Sequence, residues 1–150
     1  MANSIYTAAL MEHNAHPDYR YEMENPTCTH DGVNPSCGDE LTLSLRVSDD
    51  TIEEVSFTGH GCAVSQASAD MMADLVTGET VEEAQRIMTI FLNMVKGEPL
   101  SDEDREDLDE AIELESISRM PARVKCAELA WRTLAEMIDN IISDRSENKE

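Results

Sequence analysis

Residues 37–64 read CGDELTLSLRVSDDTIEEVSFTGHGCAV, and this stretch predicts a β-hairpin that leads into a helix. Apolar and polar residues alternate from Leu41 to Val47, which is the period of a strand with one buried face. Residues 48–50, Ser-Asp-Asp, are typical of a turn. A second strand is expected over about residues 52–58, and Ile52 stands one place out of its register, as at a β-bulge. Two strands joined by so short a turn are expected to pair antiparallel.

The rest of the chain predicts helices and one long loop. A helix capped by Ser4 is expected over about residues 4–12, and Pro and Gly residues predict a loop over residues 14–36. Helical spacing predicts three more helices, over about residues 64–77, between Thr80 and Gly97, and over about residues 122–142. The acidic segment 98–115 is expected to form a short solvated helix or an inserted loop. This order predicts an α+β fold with one domain over residues 1–143 and a polar, disordered tail over residues 144–150.

The charge excludes several classes of function. The 150 residues include 11 Lys and Arg against 32 Asp and Glu, which gives a formal net charge of −21. A nucleic-acid-binding protein needs a basic surface, so no nucleic-acid partner is expected, and binding to anionic membranes is disfavoured for the same reason.

No apolar stretch approaches the ~18 residues of a membrane-spanning helix, and the start of the chain lacks the features of a secretory signal. These features predict a cytoplasmic protein.

Four cysteines, at positions 28, 37, 62 and 126, carry the candidate chemistry. In a reducing compartment, scattered cysteines are either small buried hydrophobes or ligands of a metal or redox centre. Cys37, Cys62 and Cys126 lie at the ends of predicted elements, and together with Asp39 they would make a plausible tetrahedral zinc set. Spacing alone leaves both interpretations open, because the chain contains no CxxC pair. Residues 25–28 and 34–37 are near copies, Asn-Pro-Thr-Cys and Asn-Pro-Ser-Cys.

Three segments resemble the IscU-like family of iron–sulfur assembly proteins, and within it the SufU branch. They are CGD at 37–39, GHGCAVSQAS at 59–68 and MPARVKCAELAW at 120–131, and the resemblance covers roughly residues 4–142. It implies an α+β fold with a small antiparallel sheet packed on one side by helices. It also implies a metal site formed by Cys37, Asp39, Cys62 and Cys126.

Two features favour the SufU branch. Lys125 precedes the third motif cysteine, where scaffold-type members usually carry His, and the Leu-Pro-Pro-Val-Lys segment of those members is absent. The Asn-Pro-Arg-Asn segment usual near the start of the family is replaced by HNAHPD at residues 13–18. SufU-type proteins bind zinc and accept persulfide sulfur from a partner cysteine desulfurase of the SufS type.

The resemblance therefore implies a zinc-dependent sulfurtransferase. Its sulfur acceptor would be Cys37, released from zinc by ligand exchange, and the sulfur would move on to a downstream iron–sulfur assembly scaffold. The main alternative is a scaffold that builds a [2Fe–2S] cluster on the same ligands, with iron in place of zinc. A structural zinc domain and a regulatory partner of the desulfurase are further alternatives.

Neighbouring residues have open roles. Arg123 and Lys125 would stabilise a thiolate or a persulfide, contact the partner, or simply belong to a solvated helical turn. His60 would be a substitute ligand or a surface residue. Cys28 would relay sulfur, form a disulfide with Cys37 on oxidation, or be a bystander thiol.

Overall fold

The structure, a computed structural model, describes residues 7–35 and 37–148. In that part of the chain it has a three-stranded sheet, five α-helices and a 3₁₀ segment. In chain order the elements are α1 (Ala8–Ala15), β1 (Cys28–Asn34), β2 (Asp39–Ser48), β3 (Thr51–His60), α2 (Ala63–Val76), α3 (Val81–Val95), α4 (Asp102–Leu108), the 3₁₀ segment (Asp109–Arg119) and α5 (Pro121–Asn148). The predicted α+β class, with a small antiparallel sheet, is confirmed.

The predicted hairpin forms the centre of the sheet. The strand order is β1-β2-β3, and both pairings are antiparallel. The register shifts between Arg46 and Val47, which places Val47 opposite Ile52 and confirms the predicted irregularity. Leu43 and Leu45 are fully buried on the inner face of the sheet, as the alternation predicts.

The first strand lies inside the segment that was predicted as a loop, so that prediction is wrong for residues 28–34. The residues of β1 that face the helices include Gly32, which is rare in strands, so the sequence of this strand shows no apolar alternation. A Cβ atom on Gly32 would lie 2.2 Å from the Thr133 hydroxyl oxygen. The glycine is needed because β1 packs closely against α5, and pairing with β2 supplies the stability that β1 lacks by itself.

The helices pack around α2, and a tryptophan joins three of them. The ring of Trp131 on α5 is fully buried and stacks on Phe91 of α3, with 3.9 Å between the ring centroids. Its indole N–H donates to the Ser68 hydroxyl of α2 at 2.9 Å, and that hydroxyl donates to the Ala127 carbonyl at 2.7 Å. Trp131 is therefore a core residue, as its helical spacing predicts.

The acidic segment is part of the fold. Residues 98–115 include α4 and the start of the 3₁₀ segment, and their acidic side chains are mostly exposed. Leu108, Ala111 and Leu114 are buried beneath them. Of the two predicted alternatives, the solvated helix is therefore confirmed for this segment, and the inserted loop is wrong.

Both ends of the helical framework differ from the predicted boundaries. The first helix begins at Ala8 and is capped by Thr7, while the predicted cap Ser4 lies outside the described residues.

The last helix continues to Asn148, so residues 144–148 of the predicted tail are helical. Arg145 holds this extension by ion pairs with Asp50 at 3.0 Å and Glu82 at 3.1 Å. The division at residue 143 stays a prediction. None of the described helices is long and apolar enough to span a membrane.

Helix α1 and the segment after it are held to α2 by a buried carboxylate. Asp70 is 1% exposed, and its Oδ2 lies 2.6 Å from His13 Nδ1. Its Oδ1 accepts a hydrogen bond from the backbone N–H of Tyr19 at 2.9 Å. Burial lowers the pKa of His13, but hydrogen bonds to Asp70 and Glu110 outweigh this effect, so the net pKa is raised above its usual value. A protonated His13 therefore stabilises the fold.

We expect the variant His13→Asn to lower the free energy of unfolding by about 1 kcal/mol at pH 6 and by much less at pH 9. The Asn amide replaces the Nδ1–H donor but cannot be protonated. Because the pKa of His13 is higher in the folded state, its stabilisation is complete below the unfolded pKa of about 6.5 and is lost as the pH rises through the folded value. Urea unfolding at the two pH values measures this difference.

The matched control is His30→Asn. His30 also pairs with a carboxylate, that of Glu136, but the two side chains are 37% and 66% exposed. The loss in free energy of unfolding caused by His30→Asn should therefore stay below about 1 kcal/mol. An equal loss at pH 6 and pH 9 in His13→Asn would contradict the assigned role of the His13 charge.

Candidate metal centre

The candidate ligands meet at one end of the sheet. Cys37 lies in the turn between β1 and β2, and Asp39 is the first residue of β2. Cys62 follows β3 and forms the N-cap of α2. Cys126 lies in the second turn of α5. The antiparallel register brings these strand ends together, because Asn34 pairs with Asp39 and Glu40 pairs with His60.

The four predicted ligands converge, with three in a tight group. Cys37 Sγ lies 3.4 Å from Cys126 Sγ and 2.9 Å from Asp39 Oδ2. The ligand atoms of these three residues all lie within 4.8 Å of one another, and theirs is the one such group found among the residues that the structure describes. Cys62 adjoins the group through Asp39, with its Sγ 3.9 Å from Asp39 Oδ2. The predicted set is thus brought together in space.

This donor set fits a tetrahedral zinc ion. Three thiolates and one carboxylate are ligands that zinc accepts, and a Zn–S bond of about 2.3 Å places two sulfur atoms about 3.8 Å apart. The observed separation of 3.4 Å between Cys37 and Cys126 differs from this value by a few tenths of an ångström. Cys62 lies outside the group whose atoms are within 4.8 Å of one another, so the sulfur atom of Cys62 would also have to move closer to the other ligands.

The three candidate cysteine ligands differ in their exposure to solvent. Cys126 is 2% exposed and Cys62 is half-buried, whereas Cys37 is exposed. Asp39 is also buried, with 1% of its surface exposed. A second protein can therefore reach Cys37 most readily, while the other two cysteines are held by helices.

Backbone groups and burial set the electrostatics of the centre. The N–H of Cys62 donates to Asp39 Oδ1 at 2.9 Å, and the N–H of Ser65 points at Cys62 Sγ at 3.4 Å. The N-terminus of α2 thus favours negative charge on both ligands. Burial raises the pKa of the Cys126 thiol, and its contacts with Cys37 and Cys62 raise it further. Without a cation, this thiol stays protonated at neutral pH.

Two further residues support the site, and one of them, Asn34, was not predicted. The side chain of Asn34 is 6% exposed, and its amide nitrogen lies 3.0 Å from Cys37 Sγ and 4.0 Å from Cys126 Sγ. The only signal for it in the sequence was the repeated Asn-Pro-x-Cys pattern. Gly61 leaves room for the carboxylate, because a Cβ atom there would lie 2.7 Å from Asp39 Oδ1.

Cys28 lies at the far end of β1. Six residues separate it from Asn34 along a strand that rises ~3.3 Å per residue, so the two ends are roughly 20 Å apart. A disulfide between Cys28 and Cys37 is therefore excluded in this fold. The Cys28 thiol is half-buried, and burial raises its pKa.

The remaining neighbours lie around the centre. His60 is a surface residue, 66% exposed, with its Nε2 3.6 Å from a carboxylate oxygen of Glu40. Arg123 is half-buried and Lys125 is exposed, and both lie in the first turns of α5.

Comparison with known proteins places the chain and its fold in one family. The model of the NifU-like N-terminal domain matches residues 5–143. The iron–sulfur cluster assembly scaffold protein IscU of Streptococcus pyogenes serotype M1 is 35% identical over 91% of this chain and 84% of its own length. The zinc-dependent sulfurtransferase SufU of Bacillus subtilis is 34% identical over 88% of each chain.

A solved structure agrees with these sequence matches. The crystal structure of SufU from Fervidobacterium islandicum AW-1, described as an iron–sulfur cluster assembly scaffold protein for the SUF system, superimposes with a TM-score of 0.81. It is 36% identical in sequence, and the match covers 87% of this chain and 93% of that one. The chain therefore belongs to the family of NifU-like N-terminal domains, and it is an iron–sulfur cluster assembly protein of the IscU/SufU type.

Proposed function

We propose that the protein is a zinc-dependent sulfurtransferase that takes persulfide sulfur from a cysteine desulfurase of the SufS type. It would pass this sulfur on, in the cytoplasm, to a downstream iron–sulfur assembly scaffold. One observation carries the proposal: two sulfur atoms and a carboxylate form a tight group that a third sulfur, of Cys62, adjoins, and only Cys37 among the three cysteines is exposed. The name of the Bacillus subtilis relative supports the same activity.

Cys37, Asp39, Cys62 and Cys126 would hold the zinc. When bound, zinc keeps the coordinating thiols deprotonated at neutral pH. Buried Cys126 and the helix cap Cys62 would stay in place as ligands, since each is fixed by its helix. Asp39 Oδ2 lies 2.9 Å from Cys37 Sγ and can accept a hydrogen bond from the thiol when the thiol is not coordinated.

The position of Cys37 suits it to transfer. It lies in a turn in which the N–H groups of Cys37 and Gly38 both donate to the Asn34 carbonyl, at 3.3 and 2.9 Å. Gly38 has a φ of +75°, a conformation that glycine adopts without strain. The described residues of this turn, Pro35, Cys37 and Gly38, are all exposed, so Cys37 can move without disturbing the core.

The transfer step is a thiol–persulfide exchange. Cys37 Sγ, as the thiolate, attacks the terminal sulfur of the persulfide on the partner. The bond between that sulfur and the partner cysteine breaks, and the electron pair leaves with the partner thiolate. A persulfide on Cys37 results, and no external oxidant or reductant is consumed.

A cluster scaffold is the second candidate, because the Streptococcus pyogenes relative carries that name and the same four ligands suit iron. Lys125, which stands where scaffold-type members usually have His, favours transfer. Anaerobic reconstitution with iron and sulfide separates the two candidates, since a cluster bound at these ligands absorbs visible light and a zinc site does not.

We expect Cys37→Ser to abolish sulfur acceptance, because the hydroxyl cannot form a stable persulfide. The assay mixes the protein with cysteine and a SufS-type desulfurase and detects one added sulfur by intact mass. Cys28→Ser is the control, and it should accept sulfur normally since it lies far from the centre. If Cys37→Ser still gains sulfur, the transfer assignment is wrong.

We expect Gly61→Ala to weaken zinc binding by about 10–100-fold, the range found when the groups around a metal ligand are disturbed. The added methyl group would collide with Asp39 Oδ1 and displace the carboxylate. Competition with a chromophoric zinc chelator measures the affinity.

Gly78→Ala is the matched control for this variant. Gly78 has a φ of +88° and open space around it, so alanine there strains the backbone without touching the centre. The free energy of unfolding of Gly78→Ala should therefore fall, whereas its zinc affinity should equal that of the unmodified protein. Equal affinities in Gly61→Ala and the unmodified protein would show that Asp39 is not a ligand.

A further inference from the structure

Asn34 lies between two of the sulfur atoms without belonging to the proposed ligand set. It is the last residue of β1, and its side chain is 6% exposed. The amide nitrogen lies 3.0 Å from Cys37 Sγ and 4.0 Å from Cys126 Sγ, and it carries two hydrogens. A single amide can therefore donate to Cys37 at close range while its second hydrogen faces Cys126.

The position of the sulfur is defined from two sides. Asn34 and Asp39 are paired in the register between β1 and β2, and the turn that carries Cys37 joins them. Cys37 Sγ lies 3.0 Å from the amide nitrogen of Asn34 and 2.9 Å from the carboxylate of Asp39. Both contacts come from the ends of paired strands, which are the rigid part of this region.

An amide donor favours negative charge on sulfur. A hydrogen bond to a charged acceptor is stronger than one to a neutral acceptor, so the Asn34 contact strengthens when Cys37 becomes a thiolate. The proposed ligands carry four negative charges against the two positive charges of zinc, and a buried neutral donor offsets part of this excess. The amide keeps its protons throughout the transfer.

On the basis of the proposed sulfur transfer, we infer that Asn34 is a positioning residue that holds Cys37 Sγ for attack. The contact with Cys126 supports this role: the amide lies closer to the exposed sulfur, by 1 Å, than to the buried one. Without the donor, the Cys37 sulfur loses its fixed position, and sulfur transfer slows even when the desulfurase is bound.

The chain contains its own comparison for this role. Asn25 begins the first copy of the Asn-Pro-x-Cys pattern, but it is exposed and adopts a φ of +54°. The cysteine of that copy, Cys28, lies at the far end of β1 from the centre. The same four-residue pattern therefore occurs once with its Asn against the reactive sulfur and once without such a contact.

The test compares two variants that lack the N–H donor with one control. Asn34→Asp keeps the shape of the side chain, and Asn34→Leu keeps its approximate volume without charge. Asn25→Gly is the control, since glycine tolerates the positive φ and removes the other amide. Each full-length, zinc-loaded protein is mixed with a SufS-type desulfurase and cysteine in a single turnover, over a range of desulfurase concentrations.

Both Asn34 variants should transfer sulfur at least about tenfold more slowly at saturating desulfurase, with the half-saturating concentration unchanged. Zinc release to a chelator, measured without desulfurase, should be faster. Asn25→Gly should match the unmodified protein in both measurements.

Normal rates in both Asn34 variants, or a change confined to the half-saturating concentration, would overturn the inference. If one variant fails to fold, the other decides the result. The proposed function is judged separately: if the unmodified protein gains no sulfur on Cys37, sulfur transfer itself is wrong, whatever the variants do. If it gains sulfur and the Asn34 variants do so equally well, only the role of Asn34 is wrong.

Discussion

The whole centre depends on one buried carboxylate. Asp39 is the first residue of β2, and its Oδ1 accepts a hydrogen bond from the backbone N–H of Cys62. This hydrogen bond joins the start of β2 to the start of α2. Its Oδ2 faces the sulfur atoms of Cys37 and Cys62. A buried carboxylate is costly unless it is hydrogen-bonded or binds a cation, so the neighbouring backbone has to approach it closely.

Two glycines permit this approach. Gly61 leaves space beside the carboxylate, and a Cβ atom on Gly59 would collide with the Glu40 carbonyl at 2.2 Å.

The fold was predictable where a local pattern determines it. The alternation around Leu43 predicts the hairpin, because a period of two places one set of residues in the core. The strand β1 could not be predicted in this way, since it is stabilised by pairing with β2 and by close packing of Gly32 on α5, neither of which leaves an apolar pattern. The extension of α5 past Ile142 depends on ion pairs of Arg145 with residues far away in sequence.

The site was predictable for a different reason. The placement of residues 37, 39, 62 and 126 at the ends of predicted elements made a metal site plausible, but their spacing left it open, and the resemblance to a known family favoured it. The structure adds what the family motif leaves out: the degree of burial of each sulfur, and the contact of Asn34 with two of them. Asn34 escaped prediction because asparagine before proline is common in turns, whereas this one ends a strand and points at the thiols.

The position of Cys126 has a consequence for the order of assembly during synthesis. Cys37, Asp39 and Cys62 emerge from the ribosome early, and Cys126 follows roughly 60 residues later, on the helix that completes the core. In the proposed site, a nascent chain would therefore carry three of the four ligands before the last one is made. The fourth would join them only when α5 packs against α2 and its Trp131 is buried. Closing this long loop costs conformational entropy, and an ion bound at the proposed site would help to offset that cost.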